Sequence, residues 1–244
     1  VDDKWIQNIR PRLTEYLKVF YIDDIISKKR EITIDLDNVY KTELIEVMEF
    51  LEEFPNDGIE LLEECYNDAY YSMNCEKPDV IITVKNIPEE FQCNLELQDL
   101  KSIHIGKLVE FDGKIKNAKK IVSGIKKLGL ICTSCGEIRI KNIDNPFETS
   151  LENSCPRCAQ NMYLLNDESK YVDYQEITLN PINKEFNSKS ELILEQYVIL
   201  ENSPGIYSGV VKIIGIPYRK QNKKTGVFDI MVKGIYVEKI EDEK

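Results

Sequence analysis

The residues best placed to do chemistry lie in "ICTSCGEIRIKNIDNPFETSLENSCPRC", Ile131 to Cys158, which holds four of the chain's seven cysteines. Cys132 and Cys135 are separated by two residues, as are Cys155 and Cys158, and nineteen residues lie between the pairs. Each Cys-x-x-Cys offers two thiolates from one knuckle, so the spacing predicts one tetrahedral Zn²⁺ per chain held by four sulfurs. Gly136 follows the first pair, where a knuckle turn needs positive φ, and Pro156 and Arg157 fill the second. Disulfides fit less well, because Cys65, Cys75 and Cys93 make the total odd and no secretory leader is visible. Coincidental core cysteines would sit in apolar runs, whereas these stand among Ser, Asn, Asp and Thr. A catalytic zinc keeps one position open for water, and four thiolates close the shell. The single histidine, His104 in "SIHIGK", reads as an exposed histidine at a strand end. The expected zinc is therefore structural, with no hydrolase activity.

The elements around this site divide by charge. The 244 residues carry a formal net charge of -11. Up to Glu90 there are 10 Lys+Arg and 22 Asp+Glu, a net of -12, leaving 22 and 21 in the remainder, a net of +1. An acidic head can thus precede a body able to face a polyanion. No apolar run approaches a membrane span, and free thiols without targeting signals predict a reducing, cytoplasmic setting.

The hydrophobic period changes at the same place. Trp5, Ile6, Ile9, Leu13, Leu17 and Phe20 recur at helical spacing, with Pro11 placed to bend or shorten the helix. "REITIDL" alternates like a short strand. Asp37 or Asn38 is placed to cap "VYKTELIEVMEFLEEF", and Pro55 with Asp57-Gly58 marks a turn before "IELLEECYNDAYYSM". Residues 1–90 therefore read as an acidic helical bundle whose glutamates form a solvated face. After Pro78 come short alternating segments: "DVIITVKNI", "LVEFDGKIKNAKKI", "SGIKKLGLICTSC", "YQEITLN", "SELILEQYVIL", "GVVKIIGIPYRK" and "VFDIMVKGIYVEKI". Short strands with an inserted metal knuckle predict an OB-fold β-barrel. The expected class is α+β: bundle at 1–90, first barrel part at 91–129, zinc insertion at 130–166, and second barrel part at 167–244.

Two basic clusters stand out against the acidic chain. Residues 212–239 hold seven cations against Asp229 and Glu238, a net of +5. Two apolar runs there flank "PYRKQNKKTG", so Arg219, Lys220, Lys223 and Lys224 gather at a hairpin tip that Gly226 helps to turn. The second cluster is Lys114, Lys116, Lys119, Lys120, Lys126 and Lys127. Either cluster can be a solvated surface, and either suits phosphate contact through counterion release.

The order of parts resembles the N-terminal region of archaeal MCM (minichromosome maintenance) replicative helicases. The matching segments are "LQDLKSIHIGKLVEFDGKI", the paired cysteines, "SKYVDYQEITL", and "SPG" at Ser203–Gly205 followed by "VVKIIGI". The resemblance implies a non-catalytic collar that assembles as a homohexamer or double hexamer around single- or double-stranded DNA. In that family zinc knuckles serve ring-to-ring contacts and the basic hairpin enters the central channel. It also implies that ATP belongs to a C-terminal ATPase module, and no Gly-x-x-x-x-Gly-Lys-Ser/Thr loop occurs in these residues. The family's Gln-Glu pair and Pro-rich loop are replaced by "EITLNPINKEFNSKSEL", its Pro-Arg by Ser188-Lys189, and the Asp expected after Pro204-Gly205 by Ile206. The chain thus reads as a divergent member. A zinc-ribbon/OB adaptor of transcription or translation would share the cysteines and barrel, and a structural interaction module would keep the zinc without DNA affinity.

Overall fold

The computed structural model describes residues 3–76, 78, 80–92, 94–143, 153–182, 195–221, 226 and 228–240. Lys223, Lys224 and Ser188-Lys189 lie outside them. The chain begins with α1 (Asp3–Phe20) and α2 (Ile22–Ile26), then β1 (Glu31–Asp35), α3 (Leu36–Lys41), α4 (Ile45–Glu53), α5 (Pro55–Asn74) and β2 (Ile81–Lys85). In α1 the helical period buries Ile9, Leu13, Tyr16 and Leu17. Phe20 is exposed instead and stacks on Tyr16, with ring centroids 4.4 Å apart. Pro11 lies inside α1 and does not end it. Arg10 ties α1 to α5 through Glu64 at 2.9 Å and Asp68 at 3.0 Å.

The expected single helix from Val39 is two. Asp35 ends β1 and accepts a hydrogen bond from the Asn38 N–H at 3.2 Å, so the cap comes earlier than Asp37 or Asn38. Glu43 then takes φ +61° and separates α3 from α4, because a residue in that region cannot continue a right-handed helix. β1 and β2 form a parallel pair, Glu31 opposite Ile81 through Asp35 opposite Lys85. "VIITVK" thus belongs with the helices rather than with the later strands.

The remaining strands are β3 (Asn94–Leu95), β4 (Val109–Ala118), β5 (Val122–Cys132), β6 (Ile138–Asn142), β7 (Met162–Leu164), β8 (Lys170–Asn180), β9 (Gln196–Glu201), β10 (Val210–Gln221) and β11 (Phe228–Ile240). β4 pairs with β10, β10 with β11, β11 with β9, β9 with β8, and β8 again with β4. These five pairings close on themselves, which leaves the circuit without a free edge. Alternation along the strands sends Val109, Phe111, Ile177, Leu179, Val198, Leu200, Val211, Ile213 and Val232 into one interior core.

On the outside of the circuit, Ile214, Ile216 and Ile235 join the core of the helical lobe. The register shifts after Ile214, leaving Ile235 as the extra residue between Gly234 and Tyr236. Gly215 stands at this bulge, where a β-carbon would lie 2.6 Å from the Lys233 carbonyl oxygen. His104 departs from its expected place. It is buried in a short 3-10 turn, and its Nδ1 accepts the Lys101 N–H at 3.0 Å.

Gln175 is fully buried and connects distant segments. Its Nε2 donates to the carbonyls of Lys119 (3.1 Å) and Ile206 (2.9 Å), while its Oε1 accepts from the Ile206 N–H (3.1 Å) and the Ser203 hydroxyl. Replacing Gln175 with Leu keeps the volume and strips those groups of their partner. The expected destabilisation is about 2–4 kcal/mol, measured as a lower urea midpoint at unchanged slope. An unchanged midpoint would show that other groups satisfy them.

Candidate metal centre and nucleic-acid interface

β5 lies beside the closed circuit, paired with β8, and continues into the cysteine lobe. Its first half pairs with β8, and its second half with β6 and β7. The two cysteine turns are built alike. Cys132 N–H donates to the Glu137 carbonyl (2.8 Å) and Gly136 N–H to the Cys132 carbonyl (2.9 Å). Cys155 N–H donates to the Gln160 carbonyl (2.8 Å) and Ala159 N–H to the Cys155 carbonyl (2.9 Å). Gly136 and Ala159 occupy equivalent positions with φ +74° and +57°. Alanine there carries a steric cost that glycine avoids.

The turns bring the four sulfurs together, all within 4.8 Å of one another. Cys132 lies 3.5 Å from Cys158, and Cys135 lies 3.6 Å from both Cys155 and Cys158. A disulfide requires about 2.05 Å. A tetrahedron with metal–sulfur bonds of about 2.3 Å has edges near 3.8 Å, so these separations fit a metal ion and exclude covalent pairing. Cys132 and Cys155 are buried, Cys135 and Cys158 half-buried, over Leu128, Leu130, Ile143 and Met162.

Crowded thiols titrate unequally. Burial opposes a thiolate at Cys132, but hydrogen bonds from the backbone of Cys135 and Ser134 and from neighbouring thiols lower its pKa to about 7. At Cys135 the Glu137 backbone favours the thiolate, while burial and the other three cysteines reverse this and raise the pKa to about 12. Together they present a site where a second negative charge needs a cation beside it. Among the described residues the cluster consists of four sulfurs with no histidine or carboxylate in it, which suits a closed, non-catalytic centre.

The cations fall into distinct settings. Beyond Gly215, β10 loses its pairing with β4, and before Met231, β11 has none with β9, so the outer parts of the two strands pair with each other out to Gln221 and Phe228. Arg219 and Lys220 lie on this free arm, which ends near Gly226 at φ +73°. Lys223 and Lys224, expected at its tip, lie outside the described residues. Lys114, Lys116, Lys119 and Lys120 are exposed on β4 and the turn after it. Lys116 pairs with Glu195, and Lys119 with Glu176 at 2.7 Å.

Lys126 is turned inward, away from the setting expected of it. It lies 3.3 Å from Glu201, which also holds Lys233 at 3.3 Å. Burial opposes its charge, but the carboxylates of Glu201, Glu63 and Glu60 outweigh that and raise its pKa. Lys127 lines the same cleft against α5, where Lys170 pairs with Glu63. Sequence clustering grouped Lys126 with Lys119, but the acidic partners come from α5 and β9, remote in the chain.

Residues 96–217 match the MCM OB domain. An uncharacterized MCM-type protein of Methanocaldococcus jannaschii is 38% identical over 249 aligned residues, covering 99% of this chain and 36% of the relative. The chain belongs to the MCM family. A second uncharacterized MCM-type protein of the same organism is 29% identical over 82% of the chain and 29% of its own length. The DNA replication licensing factor MCM6 of Arabidopsis thaliana is 25% identical over 61% of the chain and 19% of its own length. The chain therefore spans about a third or less of these MCM relatives. No helix among the described residues is long and apolar enough to cross a membrane.

Within this MCM chain, "SKYVDYQEITL" forms β8, whose Gln175 grips the "SPGI" loop, so two of the segments that carried the resemblance meet in space. The cysteine lobe also carries a surface the spacing of cysteines did not announce. Ile131 lies opposite both Ile138 and Tyr163, and Ile138, Ile140 and Tyr163 are exposed.

Substitution of Cys135 with Ser is expected to abolish stoichiometric metal binding and loosen residues 132–158, read by metal analysis and amide exchange. Retention of one equivalent would contradict four-sulfur ligation. Ala159→Gly should relieve the strained turn and stabilise the metal-loaded chain by about 0.5–1 kcal/mol, seen as a higher melting temperature. A lower one would show that the alanine side chain contributes more than its backbone costs.

Proposed function

We propose that this chain is the non-catalytic DNA-binding and self-assembling N-terminal collar of an MCM-type replicative DNA helicase. Subunits encircle DNA as a homohexamer or double hexamer, and ATP is handled by a module outside this sequence. The observation that carries the reading is the projecting β10–β11 arm bearing Arg219 and Lys220, which continues directly from strands that match the MCM OB domain up to residue 217. A rigid root matters because cations on a fixed arm face a phosphate backbone without the full ordering cost of a flexible loop. Lys223 and Lys224 extend the charge of that arm in sequence. Lys119 and Lys120 add a second contact region, while Lys126 and Lys127 are left out because they face the carboxylates of α5 and Glu201.

The four cysteines suit Zn²⁺, which would cross-link the two turns of the lobe and supply no reaction chemistry. The lobe's exposed Ile138, Ile140 and Tyr163 suit contact between rings. Arginine and lysine on phosphates position a strand without reading its sequence, which a collar that slides along DNA requires.

Combined replacement of Arg219, Lys223 and Lys224 with Ala tests the arm. With single-stranded DNA, each lost phosphate contact lowers the slope of log affinity against log salt by about 0.7, so the slope should fall by about 2 for every sequence alike. Light scattering of the same samples should report multimers on the DNA for the native chain. Superimposable salt titrations, or a monomer under all conditions, would count against the collar.

A further inference from the structure

One ion-pair system joins the helical lobe to the barrel, and its cations are not those of the exposed arm. α5 presents Asp57, Glu60 and Glu64 at intervals of three and four, with Glu63 beside them, along the side that faces β5 and β8. Opposite stand Lys126 and Lys127 of β5, Lys170 of β8 and Lys233 of β11. Lys170 pairs with Glu63 across the gap. Lys126 and Lys233 each lie 3.3 Å from the buried carboxylate of Glu201. Burial disfavours the Lys126 charge, yet Glu201, Glu63 and Glu60 together raise its pKa.

This contact is built to be exchangeable. It lines a cleft of about 460 Å³ rather than a packed seam, and ion pairs that meet water bind weakly. The lobe is also attached through apolar Ile214, Ile216 and Ile235, so its docking does not rest on the pairs alone. The charge balance decides what the cleft can hold. Four lysines line it against five carboxylates, those of α5 and Glu201, a net of -1 that turns a polyanion away. The barrel wall by itself sets the four lysines against Glu201 alone. A helix turn rises about 5.4 Å, so the α5 carboxylates form a row of charge spaced on the order of the phosphates of one nucleic-acid strand, about 3.4 Å apart.

We propose that α5 is an autoinhibitory element, whose carboxylates hold Lys126, Lys127 and Lys170 as phosphates would and so withhold them from nucleic acid. This rests on the nucleic-acid reading given above and adds to it a device within the chain that limits affinity. Release exchanges one anion for another at each lysine, so it requires no unfolding of the barrel.

The test is anisotropy titration of the full chain against a labelled oligo-dT at several salt concentrations. The isosteric double variant Glu60→Gln, Glu63→Gln turns the net charge of the cleft from -1 to +1. It should bind more tightly, with a slope of log affinity against log salt steeper by about 1.4, two phosphate contacts at about 0.7 each. Adding Lys127→Ala and Lys170→Ala, which spares the Lys126–Glu201 pair, should return both readings to native. The same two lysine substitutions alone should leave both readings native. Glu49→Gln with Glu53→Gln, on the exposed side of α4, changes the charge of the chain equally and should keep the native slope. If the native chain binds and the α5 variant matches it, or the α4 variant steepens the slope as much, the autoinhibitory contact is wrong while the nucleic-acid reading stands. If neither the native chain nor the α5 variant binds at any salt, that reading fails and the contact falls with it.

Discussion

Pairing of β4 with β8, Lys114 opposite Asn180 through Ala118 opposite Ile177, closes a five-stranded circuit on which every other part of this protein hangs. Without that contact β4 would be held by β10 and β3 alone, and the interior from Val109 to Val232 would open along one side. Closure fixes where each strand leaves the circuit. β8 also carries β5, the root of the cysteine lobe, and β10 with β11 leaves the circuit as the basic arm. The outer side of the same two strands receives the helical lobe through Ile214, Ile216 and Ile235. One closed centre thus carries the cysteine lobe, the basic arm and the helical lobe.

Charge follows the same plan. The acidic helices place Glu60 and Glu63 against Lys126 and Lys127, absorbing cations that would otherwise add to the polyanion-facing side. Exposed cations include Arg219 on the arm and Lys114, Lys116, Lys119 and Lys120 on β4 and the turn after it. The net charge of -11 is therefore compatible with binding an anion, because the excess of acidic residues lies in the first 90 positions.

How much was legible in the sequence depended on the range of the interactions involved. The metal-compatible cysteines were plain from spacing, since each knuckle is closed by hydrogen bonds within five residues of its first cysteine. The long strands β4, β5, β8, β10 and β11 were plain from alternation. Less visible was the pairing of β1 with β2, which joins residues fifty apart, and the break at Glu43, where a charged residue takes positive φ without a glycine to mark it. Burial of His104 goes with its Nδ1 accepting the Lys101 N–H, a contact that "SIHIGK" does not advertise. Lys126 looked like its neighbours because its partners come from β9 and α5. Gln175 gains its meaning only when "YVDYQ" and "SPGI" are brought together.

The central claim is that DNA lies along the basic arm. A photoreactive amino acid placed at Gln221, the last residue of β10, tests it most directly, with Glu49 on the exposed side of α4 as the control. Irradiation with bound single-stranded DNA should give covalent adducts from position 221 and none from position 49. Adducts confined to position 49, or no adduct from position 221 in a sample shown to be DNA-bound, would contradict the account.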